Sequence, residues 1–162
     1  MKESVLDQLD LQLLAELQRD AARSNQALAE SLGISPATSL RRVRRLFELG
    51  LIERQVALLQ PDRLAAVLGH GLTALVEVSL DRQGQEPLDA FEARAVADAA
   101  VQQCWRVSPG PDFMLVVAVR DMPGYQALAQ RLFTQDANVR NVRAFFSLKR
   151  AKFEPAQPLP DR

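Results

Sequence analysis

The sequence has one cysteine, one histidine, one tryptophan and one tyrosine in 162 residues, and its 20 lysines and arginines are matched by 20 aspartates and glutamates. Cys104 cannot close a disulfide within the chain, and one histidine with one cysteine is too few to build a metal centre. With zero formal net charge, nothing global steers the chain to nucleic acid or anionic lipid, so any such attraction must be local. Only 7 glycines are present, and none forms a glycine-rich phosphate loop. The longest strongly apolar run, "FMLVVAV" at 113–119, has the length of a buried strand and falls far short of the ~20 residues of a membrane helix. Glu3, Asp7 and Asp10 interrupt the start "MKESVLDQLDLQLL" where a secretory signal needs an apolar core, so a cytoplasmic protein is expected.

Catalysis needs a nucleophile or base with a supporting partner. His70, in "LGHGL", and Cys104, beside Trp105, offer none, so no catalytic residue, metal ligand or cofactor is expected. Cys104 reads as a small half-buried hydrophobe, and Trp105 as interface or core packing. What the chain does have is apolar content, 48%, enough for a core without cross-links.

From Leu6 to Leu49 that content recurs with helical spacing. A first helix carries Leu9, Leu13, Leu14 and Leu17 on one face, with Asp7 placed to cap it. Ser24 is placed to cap a second, whose Leu28, Ala29 and Leu32 face inward before Gly33 ends it. A third opens at Ser35-Pro36 and closes at Gly50. Its projection puts Leu40, Val43, Leu46 and Phe47 inward, and Thr38, Arg41, Arg42 and Arg45 outward, with Arg44 on the flank.

The period changes to two near residue 70. "GLTALVEVSL" alternates as a half-buried strand, followed by a helix over 87–99, a strand in "QQCWRVS", the turn "PGP", the strand "DFMLVVAVR", a helix over 123–133 and the strand "VRNVRAFFSLK". The fold class is therefore α+β: an N-terminal all-α helix-turn-helix, a linker strand in "IERQVALLQ", and a β-α-β-β-α-β, ferredoxin-like C-terminal domain. Expected boundaries are 1–53 for the helix-turn-helix domain, 54–69 for the linker strand and short helix, 70–152 for the C-terminal oligomerising domain, and 153–162 for an irregular tail. Both faces of the central strand are apolar, which predicts a homodimer covering the face that helices leave open.

Four arginines occupy five positions, 41 to 45, in the third helix. In a helix-turn-helix the early residues of that helix meet base edges in duplex DNA, while other polar groups bind phosphate. The DNA-binding candidates are Ser35, Thr38, Ser39, Arg41, Arg42 and Arg45; Thr38 and Arg41 suit base edges, and Ser35, Arg42 and Arg45 suit the backbone. Residues 1–60 hold equal numbers of acidic and basic side chains, so one copy binds weakly and a dimer presents two patches together.

The segments "LDQLDLQLLAELQRDAARS", "LAESLGISPATSLRRVRRLFELGLI" and "SLKRAKFEPAQPLP" resemble the Lrp/AsnC, or feast/famine, transcriptional regulators over Leu6 to Pro160. The resemblance implies a C-terminal domain that dimerises, often builds octamers, and binds an amino acid or related small-metabolite effector. It directs attention to Pro109, Gly110 and Asp112, in "SPGPDF", where the family has a Gly-x-x-Asp turn; Asp112 keeps the acidic position, while Pro109 withdraws a backbone donor. Thr134 and Asn138 complete the effector set, Asn138 standing where a left-handed glycine is usual. The competing expectation is an architectural DNA-binding protein with no ligand, whose C-terminal domain only oligomerises.

Overall fold

The computed structural model describes residues 6–160. The described chain divides into two compact units: the residues up to Leu58, joined by the tail from Lys152, and Leu59–Ala151.

Three helices make the first unit: α1 (Gln8–Arg19), α2 (Asn25–Ser31) and α3 (Pro36–Glu48). At the start of α1 the Asp7 carboxylate accepts the Asp10 N–H at 2.9 Å and the Asp10 carboxylate accepts the Asp7 N–H at 3.2 Å, a reciprocal capping box. Ser24 and Ser35 cap α2 and α3, each such cap contributing about 1 kcal/mol. Gly33 takes φ +65° in the turn between them, a conformation costly for any residue with a Cβ. The apolar core is small, with Leu13, Leu28 and Leu46 at its centre and Leu9, Leu14, Leu17 and Val43 packed against it. The tail has no regular secondary structure, yet it is fastened to α1: the Gln157 N–H donates to Gln18 Oε1 at 2.6 Å and Gln18 Nε2 donates back to the Gln157 carbonyl at 3.2 Å.

The projection of α3 needs correcting. Leu40 is 52% exposed and Phe47 is also exposed, while Ser39 and Leu46 are fully buried and Arg42 and Val43 half-buried. The helix is thus turned by roughly 60° from the orientation its apolar residues alone predict. The linker also departs from expectation: no strand is assigned over 52–60, and Val56, Leu58 and Leu59 are exposed. Its alternating side chains suit a strand, but nothing else in the described chain pairs with its backbone, and a ladder needs two partners.

The second unit opens with α4 (Pro61–Leu68) and continues β1 (Leu72–Leu80), α5 (Gln85–Ala97), β2 (Val101–Arg106), β3 (Phe113–Val119), α6 (Met122–Ala129), a π-turn over Gln130–Thr134 and β4 (Val139–Phe146). The strands form one antiparallel sheet in the order β2-β3-β1-β4, the split β-α-β arrangement expected from the sequence. Ala74, Val76, Val78 and Leu80 alternate into a core with Phe113, Leu115, Val117, Phe91 and Leu128. On the opposite face the register places Leu75 beside Val116 and Phe145, and Trp105 beside Met114. Trp105 there is 59% exposed, so it is not a core residue of this chain. Cys104 points to the core side, half-buried, and burial raises its thiol pKa.

Candidate nucleic-acid interface and effector turn

The two helices of the helix-turn-helix are clamped at their starts, because Asn25 Nδ2 at the beginning of α2 donates to the Pro36 carbonyl at the beginning of α3 (2.8 Å). The chain leaves α2 through the Ile34 N–H bonded to the Ala29 carbonyl at 3.0 Å. Ser35 Oγ accepts the Thr38 N–H at 3.2 Å and lies 2.9 Å from Thr38 Oγ1. These two hydroxyls therefore order the first turn of α3 and meet each other, at an exposed end of the helix.

The arginine run divides in two. Asp10 is 1% exposed, and a carboxylate taken out of water needs charged donors. Arg42 Nη1 meets Asp10 at 2.8 Å and Asp7 at 2.7 Å, and Arg45 Nη1 reaches Asp10 at 3.0 Å. The Asp7 pKa is lowered, first by the Asp10 N–H and then by Arg42, and that of Arg42 is raised by Asp10 and Asp7. Arg42 is thus an internal brace between α3 and α1 rather than an outward group, and Arg45 is shared between that brace and the surface. Ser39 also lies inward, fully buried with no hydrogen-bond partner for its hydroxyl, where a small side chain lets α3 pack closely. Arg41 and Arg44 remain outward and exposed, with no carboxylate partner among the described residues. With Ala37 and Glu48 they form the stripe farthest from the buried side of α3. Arg44, set on the flank by the projection, lies in this outward stripe.

In the second unit the β2–β3 hairpin carries Pro109, Gly110 (φ +124°) and Asp112. Asp112 Oδ2 accepts the Leu80 N–H at 2.7 Å and lies 3.4 Å from Gln83 Nε2, while the Asp112 N–H bonds the Val78 carbonyl at 2.9 Å. Asn138 binds the same end of β1: its Oδ1 accepts the Arg82 N–H at 2.9 Å, and its Nδ2 donates to the Arg82 carbonyl at 3.2 Å. No non-glycine residue among those described has positive φ, so Asn138 does not adopt the expected left-handed geometry; it closes the loop with its side chain instead. Asp112 and Asn138 are thus brought to one strand end. Thr134 is exposed at the end of the π-turn and makes no hydrogen bond to either. Beside Asn138 lies an open depression of about 300 Å³ lined by Arg82, Glu86, Pro87, Ala90, Arg94 and Asp136. Arg94 pairs with Asp136. No spacing in the sequence signalled this group, because its members come from three separate segments. Among the described residues no set of three His, Cys, Asp or Glu side chains is placed to hold a metal ion, and no helix is long and apolar enough to cross a membrane.

Two parts of the chain match known protein families. Residues 6–46 match the AsnC-type helix-turn-helix domain and residues 73–157 the Lrp/AsnC ligand binding domain. The chain is 37% identical over 147 residues to a leucine-responsive regulatory protein of Rhizobium meliloti, covering 91% of this chain and 92% of that one. It is 35% identical over 154 residues to the Bkd operon transcriptional regulator of Pseudomonas aeruginosa, covering 95% and 98%. Among solved structures, an AsnC family transcriptional regulator from Agrobacterium tumefaciens superposes with a TM-score of 0.81 at 28% identity, covering 94% of this chain and 97% of that one. A transcriptional regulator from Neisseria meningitidis in complex with L-Met superposes with a TM-score of 0.80 at 26% identity, covering 94% and 96%.

Proposed function

The chain belongs to the Lrp/AsnC family of transcriptional regulators, and from that premise we propose that it binds a specific duplex DNA site as a homodimer and adjusts that binding to an amino acid or related metabolite. The observation that carries the DNA reading is the exposed pair Arg41 and Arg44 on α3, a helix held in place by the buried Asp10–Arg42 contact. Arg41 is the base-edge contact, with Thr38 ordering the helix start; Arg44 and the exposed part of Arg45 serve phosphates. Regulation, not catalysis, is the activity, in the cytoplasm.

The second copy covers the open sheet face. Leu75, Val116 and Phe145 lie side by side there with Trp105 and Met114, a surface better matched to protein than to water. Two copies carry two recognition helices, and linking them raises the effective concentration of the second contact. Sedimentation distinguishes this dimer from an octamer built on it.

The effector reading is supported by the L-Met complex of the Neisseria relative, and by the convergence of Asp112 and Asn138 on one end of β1. Pro109 and Gly110 precede Asp112 in the same hairpin, and Thr134 precedes Asn138 by four residues. The test is a melting-temperature screen of the twenty amino acids, in which a ligand at a hundred times its dissociation constant adds about 2.7 kcal/mol to stability. Binding selection from random duplexes checks the DNA reading: enrichment of one palindromic site supports it, whereas equal affinity for all sequences favours an architectural role.

A further inference from the structure

Most arginines described in this chain reach a carboxylate, as Arg42 and Arg131 do. Only two places among the described residues set two unpaired cations three positions apart: Arg41 with Arg44, and Lys149 with Lys152. The second pair lies in a part of the chain with no acidic residue from 137 to 153 and five basic ones, Arg140, Arg143, Lys149, Arg150 and Lys152. Both lysines are exposed. In a chain of zero formal net charge, residues 137–153 thus carry five basic side chains and no acidic one.

We propose that Lys149 and Lys152 form a second contact to the phosphate backbone of duplex DNA, additional to α3. This rests on the reading of α3 as the DNA-binding helix and extends it. Three observations carry it. The charge of Lys149 and Lys152 complements a polyanion, and neither lysine pairs with a carboxylate among the described residues. Lys152 belongs to the helical unit, whose tail is fastened to α1 by the paired Gln18–Gln157 hydrogen bonds five residues beyond it, and Lys149 lies three residues before it in the chain. That unit also needs the help, because residues 1–60 carry as many acidic as basic side chains and Arg42 is occupied by Asp10. Being three residues apart, Lys149 and Lys152 lie within about 11 Å, a span over which one DNA strand presents about three phosphates.

The test is a fluorescence-anisotropy titration of the full-length protein on specific and random duplexes over a salt series, comparing it with K149Q/K152Q and K149R/K152R. Each phosphate contact contributes about 0.9 to the slope of log affinity against log salt, so the glutamine variant loses about 2 units per bound protomer. The loss is equal on both duplexes, and the arginine variant retains the original slope. An unchanged slope in the glutamine variant, or a weaker affinity at unchanged slope, overturns the inference while leaving the α3 reading intact. No duplex binding by the unaltered protein overturns the α3 reading and this inference with it.

Discussion

The two units solve the problem of a stable interior differently. In the sheet unit twelve buried apolar side chains form one cluster. In the helical unit only Leu13, Leu28 and Leu46 are buried at the centre of the apolar cluster, and Asp10 and Ser39, the buried polar or charged side chains among the described residues, both belong to it. A unit too small to rely on apolar burial alone joins α1 to α3 by charge. The same contact divides the arginines, turning Arg42 inward and leaving Arg41 and Arg44 outside. Stability and the proposed recognition in the helical unit therefore draw on one short run of sequence, whereas the sheet unit keeps its core and its open face on alternate residues of the same strands.

The strongest way to break that comparison is Arg42→Ala. It strands a buried carboxylate with Arg45 and a backbone N–H as remaining donors, and is expected to destabilise the helical unit by about 3–5 kcal/mol. Thermal unfolding followed by circular dichroism should show the helical transition lowered and the sheet transition unmoved; a shift of both together would mean that the units unfold as one. Removing an apolar side chain such as Phe113, by contrast, acts on the sheet unit alone.

Acid gives the next largest effect, and it touches both units. The carboxyl pKa of Asp98 is lowered, first by Arg131 and then by the Ala100 N–H, and that of Asp7 by the Asp10 N–H and Arg42. A lowered folded-state value means that the contribution is complete above the ordinary value of 3.8 and is lost as pH falls through the lower folded value. Stability measured against pH should therefore decline below 3.8, and Asp98→Asn should flatten that decline for the sheet unit. An unchanged acid limb in this variant would remove Asp98 from the account.

Converting the charged contact to an apolar one sharpens the comparison. The double variant D10L/R42M removes the central ion pair together with the Asp10 half of the capping box, and is expected to lie within about 2 kcal/mol of the unaltered protein, above Arg42→Ala alone, because a buried ion pair seldom outperforms packed side chains of similar size. A double variant as unstable as Arg42→Ala would show that the geometry of the pair, not charge burial, is what matters. The smallest effect belongs to Ser39→Ala, which removes a buried hydroxyl without a partner and should leave the melting temperature unchanged or slightly raised.

Much of this was legible in the sequence. The order of elements along the chain, the caps at Asp7, Ser24 and Ser35, and the turn at Gly33 follow from local chemistry and periodicity, which act over a few residues. The facing of α3 was not legible, because Asp10 lies 32 residues before Arg42 and a helical projection sees only its own helix. The linker reads as a strand in its alternation, but strand formation depends on a partner that local sequence cannot supply. Asp112 and Asn138 are candidates through the resemblance, whereas Arg82, Arg94 and Asp136 beside Asn138 are brought together only by the fold, since no motif spacing connects them.

The central claim is that α3 reads DNA through its outward arginines while its inward one holds the fold. Duplex-binding isotherms of R41A/R44A, recorded beside its melting curve, test it most directly. The account predicts affinity for the specific site lowered by about 1–3 kcal/mol per lost contact, a shallower salt slope, and an unchanged melting temperature. Wild-type affinity and slope in this variant would contradict it.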